Sequence, residues 1–538
     1  MKKRILAIFL AALMVAGAFS LFSCKKKEAD KSGDSDVSDV VTESEANTES
    51  EAASESESAT ESEATSESQS AEDSEDDEED TDDSYLSFDV EDDLDYGGKQ
   101  FTILTWDKTN EFGDSTLSEK TVVSQALLTR DSYLEQYLNV KLNIIYEQGD
   151  WTNAPDFADK VYTNVMSTTG SYDLICAYSM VPSILTPKGV LYDMGSAYFA
   201  DGSENFVDYT KAWWPEFFVD SLKMGDKIYS VSGDASTNLL YNLSIVMMDY
   251  NELDKHHIDP KTIYKAVDDG EWTLEYWLEL SKGISENRGD SAWDMNDYYA
   301  ISGVGRIPYS SFYFSTGNKL VENKNGRFVV SEDIESAKAI DVFERVYEAM
   351  YTEHTVRNTN DGEIVLISNG NCVFEMGTTQ QLGGITEVAD GDIGMVPFPK
   401  YDSGDTPYIT LVQNTHSHFC IPTNVADPSI SAAVLETLGY ASYDVVTPVV
   451  YENVMKLRYS KDPDSSRMFD IIRAGAITDA GILNYFVFVA NGCPDPLSMF
   501  RNLIHDAEDS TVWVSNFKNR YESGMNKTLN ELNEFYLG

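Results

Sequence analysis

Residues 101–106 read FTILTW, residues 140–147 VKLNIIYE and residues 172–178 YDLICAY. In the first run Phe101, Ile103 and Thr105 alternate with Thr102 and Leu104, which is the period of a strand. Val123, Leu127, Leu134 and Leu138 then fall on one helical face, and residues 156–168 suit a second helix. Strand, helix, strand, helix, strand at this spacing predicts a parallel sheet with right-handed crossovers. Ligands of open parallel sheets bind beyond the carboxyl ends of the strands. Those ends carry Trp106-Asp107 and Tyr178-Ser179-Met180, so Trp106, Tyr178 and Met180 are candidate ligand contacts. For Trp106 a place in the core is the equal alternative.

Upstream, Lys2, Lys3 and Arg4 precede an apolar run from Ile5 to Ser23, and residues 21–24 read LFSC. A basic start, an apolar run and a small residue make residues 1–23 a secretory signal. Cys24 in this position resembles the lipobox of bacterial lipoproteins, whose thiol is acylated and whose peptide is cut just before it. The resemblance makes Cys24 the lipidation site and a palmitate-type anchor on the extracytoplasmic face of the cell membrane. An uncut signal anchor is the alternative, since the run is long enough for a bilayer core of ~30 Å. No later apolar run approaches that length.

Residues 24–95 read as an acidic tether. Residues 25–95 hold 29 Asp/Glu against 4 Lys, with TESE and SESE repeated through Glu67. Such a stretch cannot bury enough apolar surface to offset the entropy of ordering. A flexible chain of this length spans roughly 45–50 Å. Of the net charge of −53, residues 96–538 keep −31, which excludes nucleic acid as a partner and leaves the anchor as the only membrane contact. Cys176, Cys372, Cys420 and Cys493 read as buried thiols, with a disulfide left open. No CxxC pair, GxSxG elbow, HExxH stretch or P-loop is present, so no catalytic residue, cofactor or resident metal is expected. His416 and His418 alternate on a strand, and Asp290, Asp294, Asn296 and Asp297 cluster in a loop; both read as weak metal candidates.

Further landmarks follow in order: KGVLYDM (188–194), GDKIYSVSGD (225–234), LSIVMMDYNEL (243–253), EWTLEYW (271–277), NCVFEMGT (371–378) and DIGMVPFPK (392–400). The second reads as a hairpin, and Thr273 as a helix cap. NCVFEMGT reads as a strand entering a glycine turn, and the prolines of DIGMVPFPK suit a crossing between lobes. Together with FTILTW and YDLICAY, this series resembles the family 1 extracellular solute-binding proteins, the capture subunits of ABC importers, a group that includes maltose-binding protein.

The resemblance implies a two-lobed α/β, periplasmic-binding-protein-like fold with a hinge and an interlobe ligand cleft. Lobe 1 would comprise 96–235 and 396–440, and lobe 2 236–395 and 441–538. It implies a monomer that captures a small solute, most simply a carbohydrate, and hands it to ABC permease subunits. By position it points to Tyr178, Met180, Asp234, Tyr309, Phe312, Tyr313, Thr378, Gln380 and Phe500 as ligand contacts. Arg306 and Glu375 are added as hydrogen-bonding groups, each with a surface or strand role as the alternative. An exported glycoside hydrolase and a non-transporting polysaccharide adhesin remain the other readings. Replacing the anchoring thiol, Cys24→Ser, should move the protein from the membrane fraction to the soluble fraction on fractionation; retention on the membrane would remove the lipoprotein reading.

Overall fold

The structure, a computed structural model, describes residues 86–538 apart from 92, 108–110, 115, 117–120, 168–169, 290–291, 304–306, 358–365, 389–391, 452–462 and 538. The signal, Cys24, most of the acidic tether, Asp290 and Arg306 lie outside the described residues. In chain order the strands are β1 (Lys99–Trp106), β2 (Val140–Glu147), β3 (Leu174–Tyr178), β4 (Ser244–Asp249), β5 (Tyr299–Gly303) and β6 (Val321–Lys324). They continue as β7 (Arg327–Val330), β8 (Cys372–Thr378), β9 (Ile393–Val396), β10 (Thr410–Leu411), β11 (Ser417–Cys420) and β12 (Ala476–Ile477). The helices used below are α1 (Val122–Leu138), α2 (Ala154–Met166), α3 (Leu274–Ser281), α4 (Thr379–Val388), α5 (Pro428–Ala441) and α6 (Tyr485–Ala490).

The first sheet has the order β11-β3-β1-β2. β1 runs parallel to both neighbours, with Ile103 opposite Ile144 on one side and Leu174 on the other. β3 is buried along its whole length, as a strand covered on both faces must be, and β11 closes its free edge antiparallel. Thr121 starts α1 by accepting a bond from the Ser124 amide at 3.1 Å, and Asn139 ends it in the left-handed region. The second sheet has the order β5-β8-β4-β9, with β5 parallel to β8 and β4 antiparallel to β8 and β9. This is a mixed α/β chain with one sheet in each lobe.

Three local expectations change. The segment 224–236 makes a tight turn, with Met224 and Lys227 exchanging backbone bonds at 3.1 Å, but its arms do not pair; Val231 bridges to Phe419 instead. The glycines after β8 lie inside α4 rather than in an open turn. The chain also stays with the second sheet well past the prolines after β9. Trp272 Nε1 donates to the Pro397 carbonyl at 2.9 Å, and the Tyr408 hydroxyl donates to the Val267 carbonyl at 3.1 Å. Thr273 does cap α3, accepting from the Tyr276 amide at 3.2 Å.

The end of the tether belongs to the folded body. Phe88 stacks on Tyr440 with ring centroids 4.2 Å apart and 9° between planes, and meets Trp213 edge-on at 6.3 Å. The Tyr137 hydroxyl donates to the Val90 carbonyl at 2.9 Å. The reason was local in the sequence: Phe88 and Val90 interrupt the acidic run with apolar surface worth burying. The same face holds Glu436 of α5, which accepts both the Trp213 and the Trp214 indole N–H, at 2.9 and 2.8 Å. Burial pushes this carboxyl up to about 8 even so.

The four described cysteines are buried free thiols. Asp297 accepts the Arg288 and Asp294 amides at 2.8 and 2.7 Å, so these acids organise a turn. No group of three or more metal-ligating side chains occurs among the described residues. No helix among them is long and apolar enough to cross a membrane.

His416 and His418 do point the same way, and their Nε2 atoms lie 3.2 Å apart. One proton fits between them. A second would make one ring a buried cation and set two N–H groups against each other. Phe218 packs on both rings, while His416 Nδ1 faces the Gln413 carbonyl at 2.7 Å and His418 Nδ1 the Ser230 hydroxyl at 3.2 Å. Burial lowers both groups, His416 to about 4. A folded value below the unfolded one makes this contribution complete above the unfolded value and lost as pH falls toward the folded one. For His416 alone the loss at pH 5 is about 2 kcal/mol. Glu436, raised in the fold, acts in the opposite direction between its unfolded value and about 8. The urea midpoint should therefore fall from pH 7 to pH 5 by more in the native protein than in a His416→Gln/His418→Gln double variant. Equal falls would show that the pair stays neutral without cost.

Candidate interlobe binding site

β1 and β3 deliver their last residues side by side. The Trp106 indole donates to Ser417 Oγ at 2.8 Å, and its ring meets Tyr178 edge-on at 5.4 Å. The Tyr178 hydroxyl oxygen accepts the Asn414 side-chain amide, which also lies 3.9 Å from Met180 Sδ. Ser179 Oγ donates to the Asn414 carbonyl at 2.6 Å, so two expected contacts, Tyr178 and Met180, and their neighbour Ser179 converge on one asparagine of the returning chain. Burial, then Asp150, Tyr485 and Asp495, drive the Tyr178 phenol far upward, so it keeps its proton.

The loop after β2 completes this wall. Gly149 packs so closely that an added Cβ would sit 2.6 Å from Phe157 Cδ2 and 2.9 Å from Trp106 Cβ. Only glycine permits that approach, and it turns Trp151 outward. Trp151 is 40% exposed, a large fraction for the biggest apolar side chain. Tyr485 and Phe486, from α6, face it at 4.3 and 5.6 Å. These partly exposed rings touch one another here; once parted they can grip the C–H faces of a polyol, with Asp150 and Asp495 close by.

Trp106, Tyr178 and Met180 are themselves no more than 2% exposed, so they back the wall from within the core, and most of the remaining expected contacts are enclosed as well. Tyr309, Phe312, Tyr313 and Phe500 are each no more than 2% exposed. Phe312 packs against Trp277 at 5.9 Å and Phe398 at 6.2 Å, and Tyr313 against Phe500 at 5.8 Å. The Tyr309 and Tyr313 hydroxyls donate to the Arg357 and Lys319 carbonyls, at 2.8 and 2.9 Å. Asp234 pairs with Arg473 at 3.1 Å and accepts Thr447 Oγ1 at the same distance. Glu375 is wholly buried and accepts the Leu366 and Ile367 amides at 2.9 Å each. Thr378 is nearly buried at the end of β8, where its amide donates to Gln381 Oε1 at 2.9 Å, and Gln380 is exposed. The physical reason is shared: a dense aromatic run with satisfied hydroxyls lowers its free energy most by packing inward.

Sequence reasoning passed over Asp150, Trp151, Asn414 and Tyr485. The strand-end rule, extended to VKLNIIYE, points to Asp150 and Trp151. Asn414 and Tyr485 carry no local signal. A separate cavity of about 660 Å³ lies elsewhere, between the β10–β12 ribbon, β6 and residues 220–225.

No protein-family model matches the sequence, and no curated protein matches it. Solved structures do. The cyclic alpha-maltosyl-1,6-maltose binding protein from Arthrobacter globiformis superposes with a TM-score of 0.53 at 11% identity, covering 80% of this chain and 99% of its own. UgpB from Mycobacterium tuberculosis, in complex with glycerophosphocholine, gives 0.51 at 13% identity over 80% and 99%. The ABC substrate-binding protein Lmo0181 from Listeria monocytogenes, in complex with cycloalternan, gives 0.50 at 12% identity over 80% and 99%. The chain has the two-lobed α/β fold that these binding proteins share.

Tyr178→Phe keeps the ring contact with Trp106 and leaves the Asn414 amide short of an acceptor. An unsatisfied buried donor costs about 1–3 kcal/mol. Urea unfolding should register a loss of that size, and a loss near zero would show that the amide finds another partner.

Proposed function

We propose that this chain is a family 1 extracellular solute-binding protein, the lipid-anchored capture subunit of an ABC importer, and that it closes on a carbohydrate between its lobes. The observation that carries the reading is the partly exposed Trp151, backed by the buried Trp106–Tyr178 pair, facing Tyr485 and Phe486 beside the carboxyl ends of parallel strands. The shared fold supports it. The Listeria structure is in complex with cycloalternan, and the Arthrobacter protein is named for binding a cyclic maltosyl sugar.

In this reading the protein holds its solute and leaves it chemically unchanged. Tyr485 and Trp151 already touch, with ring centroids 4.3 Å apart, so lobe 2 must swing away about the chain crossings to admit the solute and then return onto it. Cys24 tethers the body to the extracytoplasmic face of the membrane, and the permease subunits receive the solute there.

A ligand that binds only the folded state raises the apparent melting temperature by mass action. A thermal-shift panel of mono- and oligosaccharides should contain stabilising members, and Trp151→Ala should weaken the best of them about tenfold or more, near 1.4 kcal/mol. Because Trp151 is substantially exposed, the variant should unfold at the native urea midpoint. A panel without one stabilising sugar would remove the carbohydrate reading.

A further inference from the structure

We propose that Arg357 receives an anionic group, a carboxylate or a phosphate, carried by the solute in the interlobe cleft. The proposal rests on the capture reading above and narrows its substrate class to acidic or phosphorylated solutes.

Arg357 is only 2% exposed, and its Nη1 has no hydrogen-bond partner. No carboxylate lies within ion-pair distance of it among the described residues. The chain's other deeply buried guanidinium shows what satisfaction looks like. Arg130 reaches Asp131 Oδ1 from Nε at 2.9 Å and from Nη2 at 2.6 Å, bonds Ser442 Oγ at 3.2 Å from Nη1, and also holds the Glu111 carbonyl. A buried cation left without such partners is strongly destabilising, because the desolvation cost is not offset. Arg357 therefore waits for a counter-ion.

Its backbone lies at the edge of the second sheet. The Arg357 amide donates to the Ile301 carbonyl at 2.8 Å, and the Ile301 amide to the Thr355 carbonyl at 3.0 Å, so residues 355–357 run as an extra parallel edge beside β5. The register sets Arg357 next to Ser302, one residue before the carboxyl end of β5. Tyr309 caps the Arg357 carbonyl, and its phenol feels Arg501 as a second cation. Ser310 Oγ bonds the Leu497 carbonyl at 2.7 Å and so docks residues 495–501 here, and Asp495 of that stretch also faces Tyr178 of the other lobe. Residues 495–501 thus link the surroundings of Arg357 to the Tyr178 side of the cleft.

The acid best placed to neutralise Arg357 is Glu375, opposite Ser302 on β8. Its Oε1 also lacks a hydrogen-bond partner, and only its other oxygen is engaged. Its Oε2 takes two backbone amides at 2.9 Å and the Cys372 thiol at 3.3 Å, and burial shifts it toward the protonated form. A neutral sugar hydroxyl could accept one N–H bond from Arg357 but would leave its charge uncompensated, whereas a carboxylate or phosphate matches the planar donor fork.

The test is Arg357→Met, which keeps length and removes charge, probed by calorimetry with galacturonate, glucose 6-phosphate, galactose and maltose. The native protein should bind at least one of the two anions more tightly than the neutral sugars, and which one it prefers separates carboxylate from phosphate. The variant should lose that affinity by about a hundredfold, the scale for deleting one partner of a buried charged pair, and keep its weaker affinity for neutral sugars. Its ligand-free urea midpoint should stay level or rise, because an unpaired buried charge is gone. Preference for neutral sugars in the native protein, or a large drop in the variant's midpoint, would overturn the proposal; the latter would make Arg357 a structural partner of Glu375. Inorganic phosphate, with no sugar attached, distinguishes this failure from failure of the capture reading. If no sugar binds at all, phosphate should still stabilise the native protein more than Arg357→Met, and equal stabilisation overturns the proposal on its own.

Discussion

The structure depends on three chain crossings that are hydrogen-bonded to one another. The first passes Asn242, whose carbonyl accepts the Gln413 amide at 2.8 Å and whose side chain bonds the carbonyls of Asn238 and Thr415 at 2.8 and 2.7 Å. The second and third pair directly: the Thr410 amide reaches the Gly475 carbonyl at 2.8 Å, and Val412 reaches Ile477 at 2.9 Å. Two sheets joined this way share a narrow ribbon while each keeps its own packed core. A ribbon of a few backbone bonds can twist, whereas a packed core resists deformation. In the proposed closure, motion would therefore fall at the junction, with each cleft wall held by its own core.

Buried charge locks that junction in place. Glu111, fully enclosed, accepts Ser236 Oγ at 2.7 Å and the Thr237 amide at 2.5 Å, while Ser236 Oγ accepts the Ser417 amide at 3.0 Å. One carboxylate ties the loop after β1, the first crossing and β11 together. Asp479 does the same for lobe 2, taking the Leu320 amide at 3.0 Å and the Gly481 amide at 2.7 Å. Acids in this interior are held by backbone N–H groups and short side chains, which offset desolvation without needing a cation. Arg357 stands apart from that pattern, its Nη1 buried with no hydrogen-bond partner.

The parallel sheet was legible because its signal is local. Alternation in FTILTW, helical spacing in 123–138 and the run YDLICAY each report burial within one element. The strand-end rule pointed to Trp106, Tyr178 and Met180, and the structure buries all three, with Tyr178 and Met180 against Asn414 and Trp106 against Tyr178. The aromatic run 309–314 misled for a physical reason. Rings that serve a core and rings that serve a ligand look alike until neighbours are known, and here Trp277, Phe398, Phe500 and Trp513 enclose them. The tether boundary was missed because composition averaged away Phe88 and Val90, whose partners Tyr440 and Tyr137 lie far along the chain.

By itself the sequence determined the acidic approach, the candidate anchor at Cys24, the β–α–β order and the series of landmarks that carries the likeness to solute-binding proteins. These properties are written in composition and short-range periodicity, so each can be read within one stretch of chain. Tertiary structure alone decided which rings face the cleft, where the chain crosses between lobes, and that Arg357 is buried without a partner. Those outcomes turn on contacts between residues far apart in the chain, such as Trp151 with Tyr485, Tyr178 with Asn414 and Glu436 with Trp213. Burial and pairing are properties of the assembled neighbourhood, and no local pattern specifies them in advance.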